Sequence, residues 1–134
     1  MKSANLEGLR ILVAGGAGFI GSHIVDELIN LNASVSIIDN FESSNKSNIS
    51  HISDKAQLLK GNINNYEFVK KAAKDIDVII HVAFPASRCD LSLNNQHIDT
   101  GVKGTFNLLS ASVEEEIDFI YGSSISVYGN QQEV

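Results

Sequence analysis

The sequence is poor in cysteine and has no excess of basic residues, and each shortage excludes a class of protein. The single cysteine, Cys89, can form neither an internal disulfide nor a zinc cluster, so it is interpreted as the reduced thiol of a cytosolic protein. Ten Lys and Arg residues stand against 16 Asp and Glu, a net charge of -6, with no dense basic cluster to contact a phosphate backbone. Nucleic acid is therefore not an expected partner.

Long apolar runs are also missing. No stretch approaches the ~20 residues that a membrane-spanning helix needs, and residues 1–9 contain no apolar segment typical of a signal peptide. We therefore expect no membrane partner and a cytoplasmic location. With 134 residues, of which 43% are hydrophobic and 19% charged, the chain is long enough for one domain with one sizeable core.

Short apolar runs alternate with segments of helical periodicity. Residues 9–14 read as a buried strand, and from Phe19 onward Ile20, Ile24, Leu28 and Leu31 recur at helical spacing. The other predicted strands are residues 34–38, 57–60, 77–83 and 117–121. The other predicted helices are residues 64–74, capped by Asn64 or Asn65, and residues 93–115, with Ile98, Val102, Thr105, Phe106, Leu109 and Val113 on one face. The polar residues 42–50 are predicted to form a surface loop.

The alternation of strands and helices predicts an α/β fold. Strands that are separated by helices need crossover connections, and because these are right-handed the expected architecture is a parallel sheet with helices on both faces. The predicted strand order is 3-2-1-4-5. No linker or internal repeat divides the chain, so one domain is expected.

A glycine-rich segment joins the first predicted strand to the first predicted helix. Residues 15–21 read Gly-Gly-Ala-Gly-Phe-Ile-Gly and fit both Gly-x-Gly-x-x-Gly and Gly-x-x-Gly-x-x-Gly. The first glycines permit a tight turn, Gly18 lets the backbone approach a pyrophosphate, and Gly21 lets the helix pack closely. N–H groups at the helix start face negative charge. The predicted contact residues are Gly15, Gly18, Phe19, Ile20 and Gly21.

Asp39 ends the second predicted strand, where a carboxylate can accept hydrogen bonds from both ribose hydroxyls of an adenosine. Because this charge would repel a 2'-phosphate, and Lys46 rather than an arginine is the nearest cation, the predicted cofactor is NAD. Together with the glycines, Asp39 indicates a Rossmann-type dinucleotide-binding domain. The alternative is that the glycines only pack and that Asp39 and Asn40 only form a turn.

The chain resembles the extended short-chain dehydrogenase/reductase family, in particular its nucleotide-sugar epimerases and dehydratases. The segments that carry the resemblance are Gly-Gly-Ala-Gly-Phe-Ile-Gly-Ser-His at 15–23, Asp-Asn-Phe at 39–41, Gly-Asn-Ile at 61–63, His-Val-Ala at 81–83, Gly-Thr-Phe-Asn-Leu-Leu at 104–109 and Ser-Ser-Ile-Ser-Val-Tyr-Gly at 123–129. Residues 81–87 resemble, more narrowly, the decarboxylases that make UDP-xylose, although Pro85 can equally serve only to shape the loop.

This resemblance implies roles for individual residues and a nucleotide-sugar substrate. Gly18, Phe19 and Ile20 would contact the pyrophosphate, Asp39 and Asn40 the adenosine ribose, Asn62 and Ile63 the adenine, and Val82 and Ala83 would line the path to the nicotinamide. Ser124 would be the catalytic hydroxyl that hydrogen-bonds the sugar oxygen while hydride moves to or from NAD. Alternatively, Ser124 only satisfies the end of the fifth strand.

The chain departs from the family pattern at several positions. The catalytic Tyr-x-x-x-Lys pair, expected downstream of Ser124, is not reached by Val134, and neither Tyr121 nor Tyr128 has a lysine four positions later. We therefore expect residues 1–134 to be an NAD-binding domain that stops after strand five, lacks the sugar-binding region and is inactive alone. Gly101 also stands in place of an asparagine, and Asn62 in place of an aspartate.

Three functions remain open. The first is the NAD-binding part of a nucleotide-sugar epimerase, dehydratase or decarboxylase, an isomerase or lyase by reaction class. The second is a non-catalytic NAD-binding module, and the third is a reductase of a small carbonyl compound. We expect self-association, because strand five and the 93–115 helix would leave apolar surface exposed. The scattered histidines predict no metal site, and His81 is predicted to pack rather than to catalyse.

Overall fold

The computed structural model describes residues 6–84 and 98–129. Its strands are β1 (Arg10–Ala14), β2 (Ser34–Asp39), β3 (Ala56–Lys60), β4 (Val78–His81) and β5 (Asp118–Tyr121). Its helices are α1 (Phe19–Asn30), a 3-10 helix (Lys46–Ile52), α2 (Tyr66–Ala72), a π-helical turn (Asp99–Gly104) that continues into α3 (Thr105–Glu114), and a 3-10 turn (Ile125–Tyr128). Cys89, Pro85 and the predicted helical residues 93–97 lie outside the described residues.

The strands form one parallel sheet in the order β3-β2-β1-β4-β5, which confirms the predicted fold class and strand order. The register aligns one residue of every strand in a single row across the sheet. The row consists of Leu59, Ile38, Ala14, His81 and Tyr121. Every strand ends at this row or one residue after it, so the C-terminal edge of the sheet is level.

Each face of the sheet carries its own apolar core. On one face, Val13 and Ile37 pack with Val25 of α1 and with the 3-10 helix. On the other face, Leu12 and Ile79 pack with Val69 of α2 and Leu108 of α3. Full burial of such a side chain contributes about 1.5–3 kcal/mol, so helices on both faces are required to protect the sheet from water.

The buried face of α1 overlaps the predicted one at Leu28, which is buried, and at Ile24, which is partly buried against the core, but it also includes other residues. Ser22, Val25 and Leu28 are buried with Gly21, whereas Ile20 is 65% exposed. The helix is rotated because Gly21 must contact the glycine loop, which turns the next positions toward the sheet. Ser22 tolerates burial because its hydroxyl donates to the carbonyl of Phe19 at 3.0 Å.

The apolar face predicted for the second long helix exists, but most of it faces outward. Phe106 is 68% exposed and Val113 is 78% exposed. The buried side of α3 instead carries Asn107, Leu108, Ala111 and Ser112. Three of these side chains are small or polar, which lets α3 approach the sheet closely. We call the exposed set of Ile98, Val102, Phe106, Leu109 and Val113 the outer face of α3.

The prediction of a surface loop over residues 42–50 is wrong for its second half. Residues from Lys46 onward form the 3-10 helix, in which Ile49 and Ile52 are buried. Ser and Asn dominate this segment in sequence, and its two isoleucines are too few to show a helical period. By contrast, Asn65 caps α2 as expected, since its side chain accepts a hydrogen bond from the N–H of Phe68.

Candidate functional site

The residues predicted to form a site all follow the aligned row at the C-terminal edge of the sheet. Each strand supplies one group of them: residues 15–21 after β1, Asp39 and Asn40 at the end of β2, Asn62 and Ile63 after β3, Val82 and Ala83 after β4, and Ser124 after β5. The connection that follows β1 leads to β2 on one side of it, whereas β4, which follows β3 in the chain, lies on the other side of β1. Such a switch point opens a crevice between the loops, which is where ligands bind in parallel α/β sheets.

The glycine loop is wedged between the ends of β2 and β4. The N–H of Gly15 donates to the carbonyl of Ile38 at 2.8 Å, and a Cβ on Gly15 would lie 2.6 Å from the Cα of Ala83. Gly15 also has φ +85, a conformation that a side chain would strain. A Cβ on Gly21 would collide with the carbonyl oxygen of Gly15, so α1 packs directly on the loop.

Gly18 differs from these two glycines because it is less crowded by protein atoms. Of the atoms that the structure describes, a Cβ there would meet only the carbonyl oxygen of Gly15, at 3.3 Å. Gly18 is the N-cap of α1, and no described side chain caps that helix. Its first N–H groups therefore lack a side-chain acceptor, and the space that a Cβ would fill lies beside them. This cradle fits an anion such as a diphosphate.

Asp39 is buried, and both of its carboxylate oxygens already accept hydrogen bonds. Oδ2 accepts from the N–H of Ala17 at 3.0 Å, while Oδ1 accepts from the N–H of Phe41 at 2.9 Å and from the hydroxyl of Ser44 at 2.7 Å. A carboxylate offers about four acceptor positions, so room remains for a ribose hydroxyl. Ser44 was not identified from the sequence, because nothing in its spacing marks it as a partner of Asp39.

The neighbours of Asp39 in the crevice are also held by local hydrogen bonds. Asn40 accepts from the N–H of Glu42 through Oδ1 at 3.1 Å, and Asn62 accepts from the N–H of Asn64 at 2.9 Å. In each amide the nitrogen remains as the donor for a ligand. Ile63 has its side chain buried in the core, and its carbonyl accepts a hydrogen bond from Asn107.

His81 connects the end of β4 to the start of α3 through a chain of hydrogen bonds. Its Nδ1 accepts from the N–H of Ala83 at 3.3 Å, so Nε2 carries the proton and donates to the hydroxyl of Thr105 at 2.9 Å. Thr105 donates in turn to the carbonyl of Gly101 at 2.8 Å. The side chain is 1% exposed, and burial lowers the pKa of His81 to about 4, so the imidazole is neutral at pH 7. These contacts agree with the packing role predicted for His81.

Ser124 follows the last described strand and is exposed. The N–H of Gly122 donates to the carbonyl of His81 at 2.9 Å, which extends the pairing of β4 and β5 beyond the aligned row. Ser124 therefore lies on the same sheet edge as Val82 and Ala83, one strand further along. Its carbonyl accepts from the N–H of Val127 in the 3-10 turn that follows.

A Tyr-x-x-x-Lys spacing that sequence reasoning overlooked occurs upstream, at Tyr66 and Lys70. Both side chains bind Glu114 of α3, Lys70 at 2.7 Å from its Oε2 and Tyr66 through Oε1. The hydrogen bond to Glu114 raises the pKa of Tyr66, the opposite of what a catalytic base needs. This pair therefore fastens α2 to α3 and does not replace the family's catalytic pair.

Two further features concern metal ions and membranes. Within residues 6–84 and 98–129, no three His, Cys, Asp or Glu side chains lie close enough together to bind a metal ion. In that same part of the chain, none of the helices combines the length and the apolar character needed to cross a bilayer.

Comparison with known proteins shows that this chain is similar to parts of nucleotide-sugar enzymes. The chain is 37% identical over 128 residues to UDP-glucuronic acid decarboxylase 1 of Arabidopsis thaliana, covering 93% of this chain and 28% of that protein. Its fold matches a UDP-glucose 4-epimerase of Thermotoga maritima solved with UDP-glucose, with a TM-score of 0.86 and 30% identity over 94% of this chain and 41% of that one.

A second solved relative contains the cofactor predicted from the sequence. The UDP-glucose 4-epimerase of Stenotrophomonas maltophilia, solved with NAD and formylated UDP-arabinopyranose, matches with a TM-score of 0.85 and 28% identity. That match covers 93% of this chain and 40% of the epimerase chain, so the present chain spans well under half the length of these relatives.

The family model of the 3-beta hydroxysteroid dehydrogenase/isomerase family matches residues 12–134, nearly the whole chain. Together with the decarboxylase and the epimerases, this match confirms the resemblance to nucleotide-sugar epimerases and dehydratases of the extended short-chain dehydrogenase/reductase type. The chain therefore belongs to the 3-beta hydroxysteroid dehydrogenase/isomerase family.

Proposed function

We propose that this chain is the NAD-binding part of a nucleotide-sugar epimerase, dehydratase or decarboxylase. The observation that carries the proposal is the cradle at Gly18, where the helix start has no described side-chain cap and the carbonyl oxygen of Gly15 is the one described atom within 4 Å of a Cβ at Gly18. Asp39 lies one strand away, as the recognition of an adenosine ribose needs. The epimerase of Stenotrophomonas maltophilia, which shares this fold, was solved with NAD bound.

In the proposed complex, the residues at the end of each strand contact a different part of the cofactor. Gly15, Gly18, Phe19, Ile20 and Gly21 form the diphosphate site, Asp39 and Asn40 bind the adenosine ribose, Asn62 and Ile63 contact the adenine, and Val82 and Ala83 line the path to the nicotinamide. NAD is favoured over NADP because the buried carboxylate of Asp39 would repel a 2'-phosphate. The nearest cation in sequence, Lys46, has its ammonium 5.7 Å from the centre of the Phe41 ring.

Bound NAD would take up and return a hydride at the sugar, and Ser124 would donate a hydrogen bond to the oxygen that loses or gains a proton. Residues 125–134 contain no lysine, so the Tyr-x-x-x-Lys pair does not follow Ser124 within this chain. The 134 residues alone are therefore proposed to bind NAD without converting a nucleotide sugar. Isomerase or lyase activity belongs to a protein that also carries that pair.

The test is thermal unfolding in the presence of NAD and NADP. NAD at 100 times its dissociation constant should stabilise the chain by about 2.7 kcal/mol by mass action. Asp39→Asn should lose most of this shift, and Asp118→Asn, which changes an exposed carboxylate on β5, should keep it. An equal response to NAD and NADP would contradict the cofactor assignment. Turnover of UDP-glucose or UDP-glucuronate by the pure chain would contradict the proposed inactivity.

The proposal includes self-association through the outer face of α3. This face is apolar and exposed, and it adjoins β5, whose Ile120 and Tyr121 are also exposed. Apolar patches of this kind mark contact surfaces in soluble proteins. The cytoplasmic location expected from composition stays a prediction, to be checked by cell fractionation.

A further inference from the structure

We propose that Asn48 in the 3-10 helix is a positioning residue for the diphosphate-binding loop. It holds the main chain of Ala17 and thereby sets the direction of the N–H groups at the start of α1. The inference rests on the proposed binding of NAD, and it assigns part of that binding to a residue that touches no part of the cofactor.

The contact that carries the inference joins two segments far apart in sequence. Nδ2 of Asn48 donates to the carbonyl oxygen of Ala17 at 2.9 Å, across 31 positions of the chain. The N–H of the same Ala17 donates to Oδ2 of Asp39 at 3.0 Å. Both polar groups of Ala17 are therefore held by side chains from outside the loop, while its methyl group is fully buried.

The 3-10 helix is anchored firmly enough to act as a support. Ile49 and Ile52 are buried in the core beside α1, and Nε2 of His51 lies 2.8 Å from Oδ1 of Asp26 in that helix. At its start, Asn45 accepts a hydrogen bond from the N–H of Ser47. Buried apolar side chains and hydrogen bonds of residues before and after Asn48 in the sequence thus fix its position relative to α1.

The carbonyl of Ala17 and the N–H of Gly18 belong to one planar peptide group. Rotation of that plane would move Gly18, the N-cap of α1, and with it the N–H groups that face the cradle. The side chain of Asn48 opposes rotation of this plane directly, whereas Asp39 holds the preceding peptide plane through the N–H of Ala17. Loss of Asn48 should therefore weaken binding of the diphosphate and leave the adenosine contacts at Asp39 intact.

The experiment compares ADP with adenosine, which differ by the diphosphate, on Asn48→Ala and Asn48→Ser. Alanine removes the side chain, and the serine hydroxyl is too short to reach Ala17. Ser50→Ala is the matched control, since Ser50 is an exposed residue of the same helix whose hydroxyl binds the carbonyl of Ser47 and not the glycine loop. Dissociation constants for ADP, NAD and adenosine are measured by NMR titration, with unfolding curves for each variant.

Both Asn48 variants should bind ADP and NAD about tenfold more weakly, the effect of one lost hydrogen bond, and bind adenosine as the parent does. Ser50→Ala should bind all three ligands like the parent. Equal weakening toward ADP and adenosine, unchanged ADP binding, or loss of folding in both Asn48 variants would overturn the assignment. A parent chain that binds neither ADP nor NAD would instead overturn the proposed function itself.

Discussion

Three buried polar side chains tie the walls of the crevice to the sheet, and each of them is hydrogen-bonded. Asp39 holds the glycine loop, His81 holds the start of α3, and Asn107 donates to the carbonyl of Ile63 at 2.8 Å. Burial of a polar group without a partner costs about 1–3 kcal/mol, so these contacts define one arrangement of the loops and penalise others.

Neutral His81 makes stability depend on pH in a defined direction. Burial lowers its pKa from 6.5 to about 4, so between these values the unfolded chain binds a proton that the folded chain does not. Acidification from pH 7 to pH 4 should therefore remove stability, by roughly 3 kcal/mol at most, and His81→Gln should lack this component. Urea unfolding of both proteins across that range measures the difference, and parallel pH profiles would contradict the assignment.

Gly15 and Gly8 form a matched pair for separating backbone strain from steric contact. Both have positive φ, at +85 and +86, but a Cβ on Gly8 meets no described atom within 4 Å, whereas one on Gly15 meets Ala83 at 2.6 Å. Gly8→Ala should cost about 1 kcal/mol of folding free energy, and Gly15→Ala about 3 kcal/mol because overpacking is added. Urea unfolding measures both values. Equal losses would show that the contact with Ala83 is easily relaxed.

At the scale of elements, tertiary packing decides which side of each helix is buried. α1 turns Gly21 toward the glycine loop, and α3 turns Asn107 toward the sheet, although more strongly apolar faces were available to both. The 3-10 helix contributes Ile49 and Ile52 to the core. In α1 and α3 small or polar side chains face the neighbouring elements, and this outweighs the periodicity of large apolar side chains.

Because the 3-10 helix packs on the core, substitutions at the neighbouring positions 49 and 50 should differ in their effect on the free energy of unfolding. Ile49→Ala should lower the free energy of unfolding by about 2–4 kcal/mol, because it leaves a cavity in the core beside α1. Ser50→Ala, at an exposed position whose hydroxyl binds only the carbonyl of Ser47, should change it by less than about 0.5 kcal/mol. Similar small effects in both variants would indicate that residues 46–52 do not pack as described.

At the scale of the whole molecule, several regions expose large apolar side chains, among them α1 at Phe19 and Ile20 and the region of α3 and β5. The outer face of α3 and the edge strand β5 lie next to each other, and both expose large side chains. Relatives that share the fold continue well beyond the length of this chain. Apolar surface of this kind commonly marks a contact with another part of a protein or with a second copy.

Sedimentation velocity tests the second possibility. The parent chain should form a concentration-dependent dimer or larger species, and Phe106→Ser combined with Val113→Ser should shift it toward the monomer. Both side chains are exposed, so the melting temperature should change little. Glu115→Ser, an exposed and already polar position just beyond α3, should leave the association as it is in the parent. A monodisperse parent monomer would contradict self-association.

Sequence patterns by themselves determined the strand order and the location of the crevice. Buried parallel strands read as continuous apolar runs, and the glycine loop and Asp39 stand directly at strand ends, so local signals sufficed for both. They also limited the cap of α2 to Asn64 or Asn65, because capping depends on neighbours within one turn, and the structure shows that Asn65 is the cap.

Only the tertiary structure decided the contacts that join distant segments. The hydrogen bonds of Ser44 to Asp39 and of Asn48 to Ala17, the chain from His81 to Gly101, and the outward turn of α3 leave no periodic trace in the sequence. Periodicity reports which residues share a face, whereas the face that is buried depends on how closely two backbones can approach. That distance is set by glycines and small side chains in elements remote along the chain.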